Sequence, residues 1–243
     1  MIIITGTTGG IGNYLFKTFI QKGEEVIGTY HLTKPVGKEF EHTNQVDITD
    51  IKQIELFVKK TKKELNNITL INCAGITYNS FAHKADINEW ANVISVNLNG
   101  TFYMIHSLLP LMREQNFGRI INLSSIVSQT GVMGTSAYAA SKAGINSMIK
   151  SIAMENAQKG ITINNINLGY FKTGMINTIP ADLQEKIKLK IALNDFGDPE
   201  NIFKTIEYIR DTPYSTSASM FLNFPSIMEL AELLNRVYQH HEL

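Results

Sequence analysis

Three isoleucines, Ile2 to Ile4, run into Thr5 and then into the turn Gly6-Thr7-Thr8-Gly9-Gly10-Ile11-Gly12. Directly beyond it, Tyr14, Leu15, Phe16, Phe19 and Ile20 recur at helical spacing. A buried strand, a glycine turn and a helix, in that order, restrict the chain more than any other stretch. The arrangement aims backbone N–H groups and the positive end of a helix at the space beyond the strand, which suits a phosphate. Gly6 permits the tight turn, while Gly10 and Gly12 carry no β-carbon to hold off a pyrophosphate or the neighbouring strand. The spacing is Gly-x3-Gly-x-Gly, with Leu15 where a Gly-x-Gly-x-x-Gly pattern has its last glycine.

The alternation continues along the chain. Glu25–Tyr30 reads as a second strand and Asn44–Ile48 as a third that carries Asp47 at its end. A helix is expected over 50–65, with Ile51, Ile54, Phe57, Val58 and Leu65 on its buried side. Ile68–Cys73 forms a fourth strand closing on Asn72-Cys73-Ala74-Gly75, and Asp86-x-x-Glu89 is a capping box ahead of helix running through Leu111. Asn97 falls inside that helical stretch, where its side chain costs propensity, so it marks either a kink with a role or a surface residue. Arg119–Leu123 and Ile161–Leu168 complete six strands.

These strands are near-continuously apolar and alternate with helices, the pattern of a parallel sheet covered on both faces. The expected fold class is α/β, a doubly wound parallel sheet of Rossmann-like form. The 243 residues suit one such domain. Residues 170–196, with Gly169 and Gly174 beside them, read as a substrate lid over the carboxyl ends of the strands. Ser226-x-x-Glu229 opens a C-terminal helix over 225–239, with Ile227, Leu230, Ala231, Leu234 and Val237 on one side.

Twenty-two basic and 22 acidic residues cancel, so no electrostatic footprint for nucleic acid or an anionic membrane is visible. No apolar run reaches the length of a membrane span, and the N-terminus lacks the features of a signal peptide. Cys73, the only cysteine, excludes an internal disulfide and fits a reducing compartment. A soluble cytoplasmic protein without a metal site is expected.

The chemistry gathers in residues 124–142. Tyr138 and Lys142 lie four positions apart in an Ala-rich run, so both side chains emerge from one helix face. A phenol titrates near pH 10 and is a poor acid–base group at neutrality. A neighbouring cation favours the phenolate and is expected to draw the pKa of Tyr138 downward. Ser125, ahead of a glycine-punctuated loop, can offer its hydroxyl to the same substrate oxygen. The end of the second strand carries Tyr30 and His31, with Lys34 behind, where an acidic residue would bind the ribose of NAD. With no carboxylate to repel a 2′-phosphate, NADP(H) is favoured over NAD(H).

With these residues collected, the chain resembles the short-chain dehydrogenase/reductase family over roughly residues 1–223. Thr5-Gly6-x3-Gly10-x-Gly12 resembles the cofactor turn, and Asn72-Cys73-Ala74-Gly75 resembles the Asn-Asn-Ala-Gly turn with Cys73 in place of the second Asn. Asp47, Asn97, Ser125 and Tyr138-x3-Lys142 fall in the family order. The resemblance implies hydride transfer between a nicotinamide and a carbonyl carbon. It implies Tyr138 as proton donor, Ser125 as hydrogen-bond donor to the carbonyl oxygen, and Asn97 as anchor of a water linked to Lys142. Lys142 would depress the tyrosine pKa and hold the nicotinamide ribose. Cofactor contacts are implied for Gly6, Thr8, Gly10, Ile11 and Gly12, for Tyr30, His31, Asp47 and Ile48, and for Asn72, Ala74 and Gly75. Tyr138, Lys142, Gly169 and Thr173 complete that set, with Thr173 on the carboxamide.

Leu168 departs from the usual Pro before Gly169, and Ser217 and Asn223-Phe224-Pro225 depart from the family's C-terminal region. Within the family the layout is nearest to the 3-oxoacyl-acyl-carrier-protein reductases. This implies an acyl-thioester or other small-molecule substrate and an acyl carrier protein as candidate partner, with Arg113 and Lys159 as docking cations and Asn116 thinning the patch. It also implies a homodimer or homotetramer. The alternatives are a sugar, polyol or secondary-alcohol dehydrogenase and, in another class, a catalytically silent dinucleotide-binding scaffold.

Overall fold

The computed structural model describes residues 1–37, 40–174, 176 and 179–212. Six strands form one parallel sheet: β1 (Ile2–Ile4), β2 (Val26–Tyr30), β3 (Thr43–Gln45), β4 (Thr69–Asn72), β5 (Gly118–Ser125) and β6 (Ile161–Leu168). Their order is β3-β2-β1-β4-β5-β6, so the chain reverses its direction of travel across the sheet between β1 and β4. Ligands of such sheets bind in the crevice at the carboxyl ends of the strands on either side of this reversal.

Alternate side chains of each strand feed two separate cores. On one face, Ile3, Ile27, Leu70, Ile120 and Ile163 pack under α2 (Ile51–Thr61), α4 (Gly100–Gln115) and α5 (Ser136–Asn156). On the other, Ile2, Ile4, Ile71, Ile121 and Ile166 pack under α1 (Gly10–Gln21) and α7 (Pro199–Asp211). The doubly wound reading is therefore correct, and each buried Ile side chain contributes about 1.5–3 kcal/mol to this sandwich.

β3 ends at Gln45, so Asp47 and Ile48 follow the strand rather than ending it, contrary to the expected Asn44–Ile48. β5 is longer than expected and carries Ser124 and Ser125 to its end. The helix α3 (Ile87–Ile94) is capped by Asp86, whose carboxylate accepts from Asn88 N and Glu89 N. It runs into a π-turn at Ser95–Asn99 before α4, so Asn97 does sit at a break in helical geometry. Residues 170–196 contain a helix, α6 (Ala181–Lys188), and a small core of Ile176, Ile191 and Phe196. Their base is fastened by Lys172 N to Gly197 O at 2.9 Å and Gly197 N to Tyr170 O at 2.8 Å. The C-terminal helix expected over 225–239 and the departures at Ser217 and Asn223-Phe224-Pro225 lie outside the described residues.

Candidate active site

At the sheet reversal, Gly6 has φ +71°, and a β-carbon there would lie 2.7 Å from Ala74 Cα. The ends of β1 and β4 thus meet backbone to backbone. Thr5, fully buried, holds the second turn with one oxygen: its Oγ1 accepts from Cys73 N at 3.0 Å and Ala74 N at 3.1 Å. The helix α1 opens on Gly9 with no side-chain cap and no acidic residue in its first turn. Its leading N–H groups find no partner in their own helix, and the adjacent Thr8 and Gly9 are exposed. An anion meets those groups and the helix dipole together, so the residues fit a dinucleotide pyrophosphate. Thr173 and Gly174 close over this turn: a β-carbon on Gly10 would collide with the Gly174 backbone and lie 2.8 Å from Thr173 Oγ1. Gly6, Gly10, Gly12, Ala74 and Thr173 are accordingly brought together around this turn.

The far end of the crevice is built differently from expectation. Tyr30 ends β2, and His31 follows with its Nε2 3.4 Å from Asp47 Oδ2. The strand has no carboxylate of its own, but Asp47 supplies one from the next strand end. The other oxygen of Asp47 accepts from Thr49 N at 2.9 Å and Thr49 Oγ1 at 2.7 Å, which fixes the carboxylate towards His31. Ile48 turns its side chain into the core, where a β-carbon on Gly100 would lie 2.8 Å from Ile48 Cδ1. Only the backbone of Ile48 is left for a ligand.

Asn97 is fully buried and clamps the turn that follows β4 to α5. Its Oδ1 accepts from Ile76 N at 2.8 Å, while Nδ2 donates to Ile76 O at 2.9 Å and Ser141 Oγ at 3.1 Å. Its backbone carbonyl accepts from Thr101 Oγ1 at 2.7 Å. A β-carbon on Gly75 would lie 3.2 Å from Asn97 Oδ1 and 3.7 Å from Lys142 Nζ, so these three residues converge.

Tyr138 and Lys142 do share a face of α5, with Lys142 Nζ 5.6 Å from the centre of the Tyr138 ring. The ammonium nevertheless donates to Leu123 O at 2.7 Å, at the end of β5. Burial brings Lys142 down to about 8. Burial also pushes the Tyr138 phenol up to about 12, against a hydrogen bond with Ser125 that favours the ionised form. The expected lowering of the tyrosine is therefore corrected. Desolvation of the phenolate outweighs the hydrogen bond with Ser125, and the Lys142 ammonium is turned towards the Leu123 carbonyl. Tyr170, just past Gly169, adds to the raise and was missed in the sequence, as was the clamp residue Ser141 inside the Tyr-x3-Lys run. Apart from its bond with Tyr138, the Ser125 hydroxyl makes two long contacts to the backbone, 3.4 Å to Leu168 O and 3.4 Å from Val127 N.

Arg113 is not a free surface cation. Its Nη1 donates to Asn156 Oδ1 at 2.6 Å and Glu155 O at 3.3 Å and ties α4 to the end of α5. Among the described residues no cluster of His, Cys, Asp and Glu could hold a metal ion, and no helix is long and apolar enough to cross a membrane.

The family described as short chain dehydrogenase matches residues 1–184. An acetoacetyl-CoA reductase of Rhizobium meliloti (strain 1021) is 33% identical, with 91% of this chain and 95% of the relative covered. A second acetoacetyl-CoA reductase, from Shinella zoogloeoides, is 35% identical over 85% of this chain and 89% of the relative. The 3-oxoacyl-[acyl-carrier-protein] reductase FabG of Buchnera aphidicola is 31% identical over 91% of this chain and 94% of the relative. A match over most of the chain, on a sheet whose reversal point carries an uncapped glycine turn beside a half-buried Tyr138 and a buried Lys142, places the protein in the short-chain dehydrogenase/reductase family as an NAD(P)-dependent oxidoreductase.

Proposed function

We propose that the protein reduces the ketone of a short 3-oxoacyl thioester with NADPH, using Tyr138 as the proton donor. The observation that supports this most is the state of the phenol. Burial pushes the Tyr138 phenol up to about 12, which favours the protonated form that a reduction consumes. Bound NADPH supplies the hydride to the carbonyl carbon. The Tyr138 O–H bond breaks as the product hydroxyl forms, and Ser125 donates to the oxygen while charge develops on it. Lys142, at about 8, is a far stronger acid than the phenol. It is therefore a proton source for the phenolate one helical turn away. Ser125, Asn97 and Gly75 orient these groups, Gly6 to Gly12 receive the pyrophosphate, and Thr173 covers it.

The preference for NADPH rests on the β2 end, where His31 and Lys34 can meet a 2′-phosphate. Asp47 orients the imidazole. The thioester reading draws on relatives whose names specify acetoacetyl-CoA and 3-oxoacyl-[acyl-carrier-protein] as substrates. The test adds protein to acetoacetyl-CoA or acetoacetyl-acyl-carrier-protein with NADPH or NADH and follows the reduced-nicotinamide band. Oxidation of NADPH by either thioester supports the reading. Activity confined to polyols or secondary alcohols with NAD would replace it, and cofactor binding without turnover on a broad carbonyl panel would indicate a silent scaffold.

A further inference from the structure

A line of buried amides crosses the centre of the sheet. The register pairs Asn72 of β4 with Asn122 of β5, and Asn122 with Asn165 of β6. All three are at most 4% exposed, and Asn146 of α5 stands over them at 8%. Buried amides are costly unless bonded, and here each bonds the next. Asn72 Nδ2 donates to Asn122 Oδ1 at 2.8 Å, Asn122 Nδ2 to Asn165 Oδ1 at 2.9 Å, and Asn165 Nδ2 to Asn146 Oδ1 at 2.6 Å. Asn146 Nδ2 then donates to Ser128 Oγ at 2.6 Å, and Ser128 Oγ donates to the backbone carbonyl of Ser125 at 2.6 Å.

The direction of the chain is dictated from its last member. A carbonyl can only accept, so Ser128 must spend its one hydrogen on Ser125 and accept from Asn146. That choice turns Asn146 Oδ1 towards Asn165 and orders every amide behind it. The dipoles therefore align and strengthen one another. The line begins one residue before the Cys73-Ala74-Gly75 turn, passes α5 one helical turn beyond Lys142, and ends on the serine that faces Tyr138.

Apolar residues of the same shape would serve the core without any polar cost. The line has a different use, visible in how loosely Ser125 holds its own hydroxyl. Besides its bond with the Tyr138 phenol, that hydroxyl has only two contacts to the backbone, each 3.4 Å long, so where it stands when it meets the phenol is set by the backbone of the Ile126–Ser128 turn. The short Ser128 bond fixes that turn, and Asn146 fixes Ser128. We propose that Asn146 and Ser128 are positioning residues that hold the Ser125 hydroxyl in register with the Tyr138 phenol. This rests on the reading of Ser125 and Tyr138 as the pair on the carbonyl oxygen.

The test compares Ser128→Ala, Ser128→Thr and the double variant Asn146→Leu/Asn165→Leu, each checked for folding by circular dichroism. Turnover of acetoacetyl-CoA with NADPH is measured together with backbone hydrogen exchange at Val127–Thr130. Ser128→Ala and the double variant should lower kcat about tenfold, a modest fraction of what a misplacement near 1 Å can cost. The KM for NADPH should stay within about twofold, and exchange at Val127–Thr130 should quicken about tenfold with β6 unchanged. Ser128→Thr keeps the hydroxyl and should restore both readouts. The proposal is overturned by a folded Ser128→Ala with wild-type kcat, whether or not exchange quickens. Wild-type protein that reduces no carbonyl would instead refute the reading of function. In that case exchange alone decides whether Asn146 and Ser128 hold the turn, and unchanged rates overturn it.

Discussion

Lys142 stands over Tyr138, 5.6 Å from the ring centre, yet gives its hydrogen bond to Leu123 O rather than to the phenol. The two residues share a helix face, and each is displaced from its ordinary pKa by the same cause. Burial disfavours both charged forms, so the ammonium becomes more acidic and the phenol less so. The pair is thereby set as a protonated donor with a second acid beside it, an arrangement suited to adding a proton to a nascent alkoxide.

Tyr138→Phe removes the donor and little else, because the ring and its packing remain. Turnover should fall by at least about a hundredfold, the usual scale of a lost acid catalyst. Dinucleotide affinity, read from the fluorescence of the reduced nicotinamide, should change less than about twofold. Retained activity would show that another group delivers the proton.

Lys142→Met should raise stability at pH 7 while abolishing turnover. In the folded chain the ammonium titrates at about 8 instead of its ordinary 10.5. Between those values the unfolded chain binds more protons, so wild-type stability rises with pH across that window. Below pH 8 the full cost of holding the charge is present, on the order of 3 kcal/mol, offset by about 1 kcal/mol from the bond to Leu123 O. Urea midpoints at pH 7 and pH 10 check this: the variant's advantage should be clear at the first and shrink at the second. Tyr138 is common to both proteins and cancels.

The strands most legible in the sequence were those whose apolar run is complete. β6 was read to the residue, since Gly160 and Gly169 bound it and Ile161, Ile163 and Ile166 fill it. β5 was read short because Ser124 and Ser125 are polar. They stay in the sheet by pairing with Asn167 and Leu168 of β6, a partner the local sequence does not disclose. For β3 the apolar Val46 and Ile48 pulled the reading past the strand, although Ile48 belongs to the packing beneath Gly100. That Tyr138 and Lys142 share a face follows from helical spacing, which fixes the face of a helix but not the rotamer of a lysine. That Lys142 would find Leu123 O, and that Asp47 would reach His31, depends on residues from other elements. The amide line across β4, β5 and β6 is likewise invisible in any one strand.

His31→Asp tests the cofactor preference. A carboxylate at the end of β2 would accept the hydroxyls of an unphosphorylated ribose and repel a 2′-phosphate. It would also lose the attraction to Asp47, now 3.4 Å from the imidazole. The ratio of kcat/KM for NADPH over NADH should drop at least about tenfold, equivalent to about 1.4 kcal/mol. An unchanged ratio would remove the β2 end as the determinant.

Gly10→Ala probes the contact between the glycine turn and residues 173–174. Alanine suits the first turn of a helix better than glycine, so α1 itself should tolerate the change. The added methyl would occupy the space now taken by the Gly174 backbone and crowd Thr173 Oγ1. It would also stand where a pyrophosphate must approach the leading N–H groups of α1. Because the methyl meets backbone, residues 173–174 must move aside, and the melting temperature should fall by several degrees, the shift expected for an overpacking cost of about 1–3 kcal/mol. Its dinucleotide dissociation constant should rise at least about tenfold, measured by titration against nicotinamide fluorescence. Equal affinity in a folded variant would mean that the pyrophosphate does not approach α1 at Gly10, and the cradle would have to be sought elsewhere along the carboxyl ends of β1 and β4.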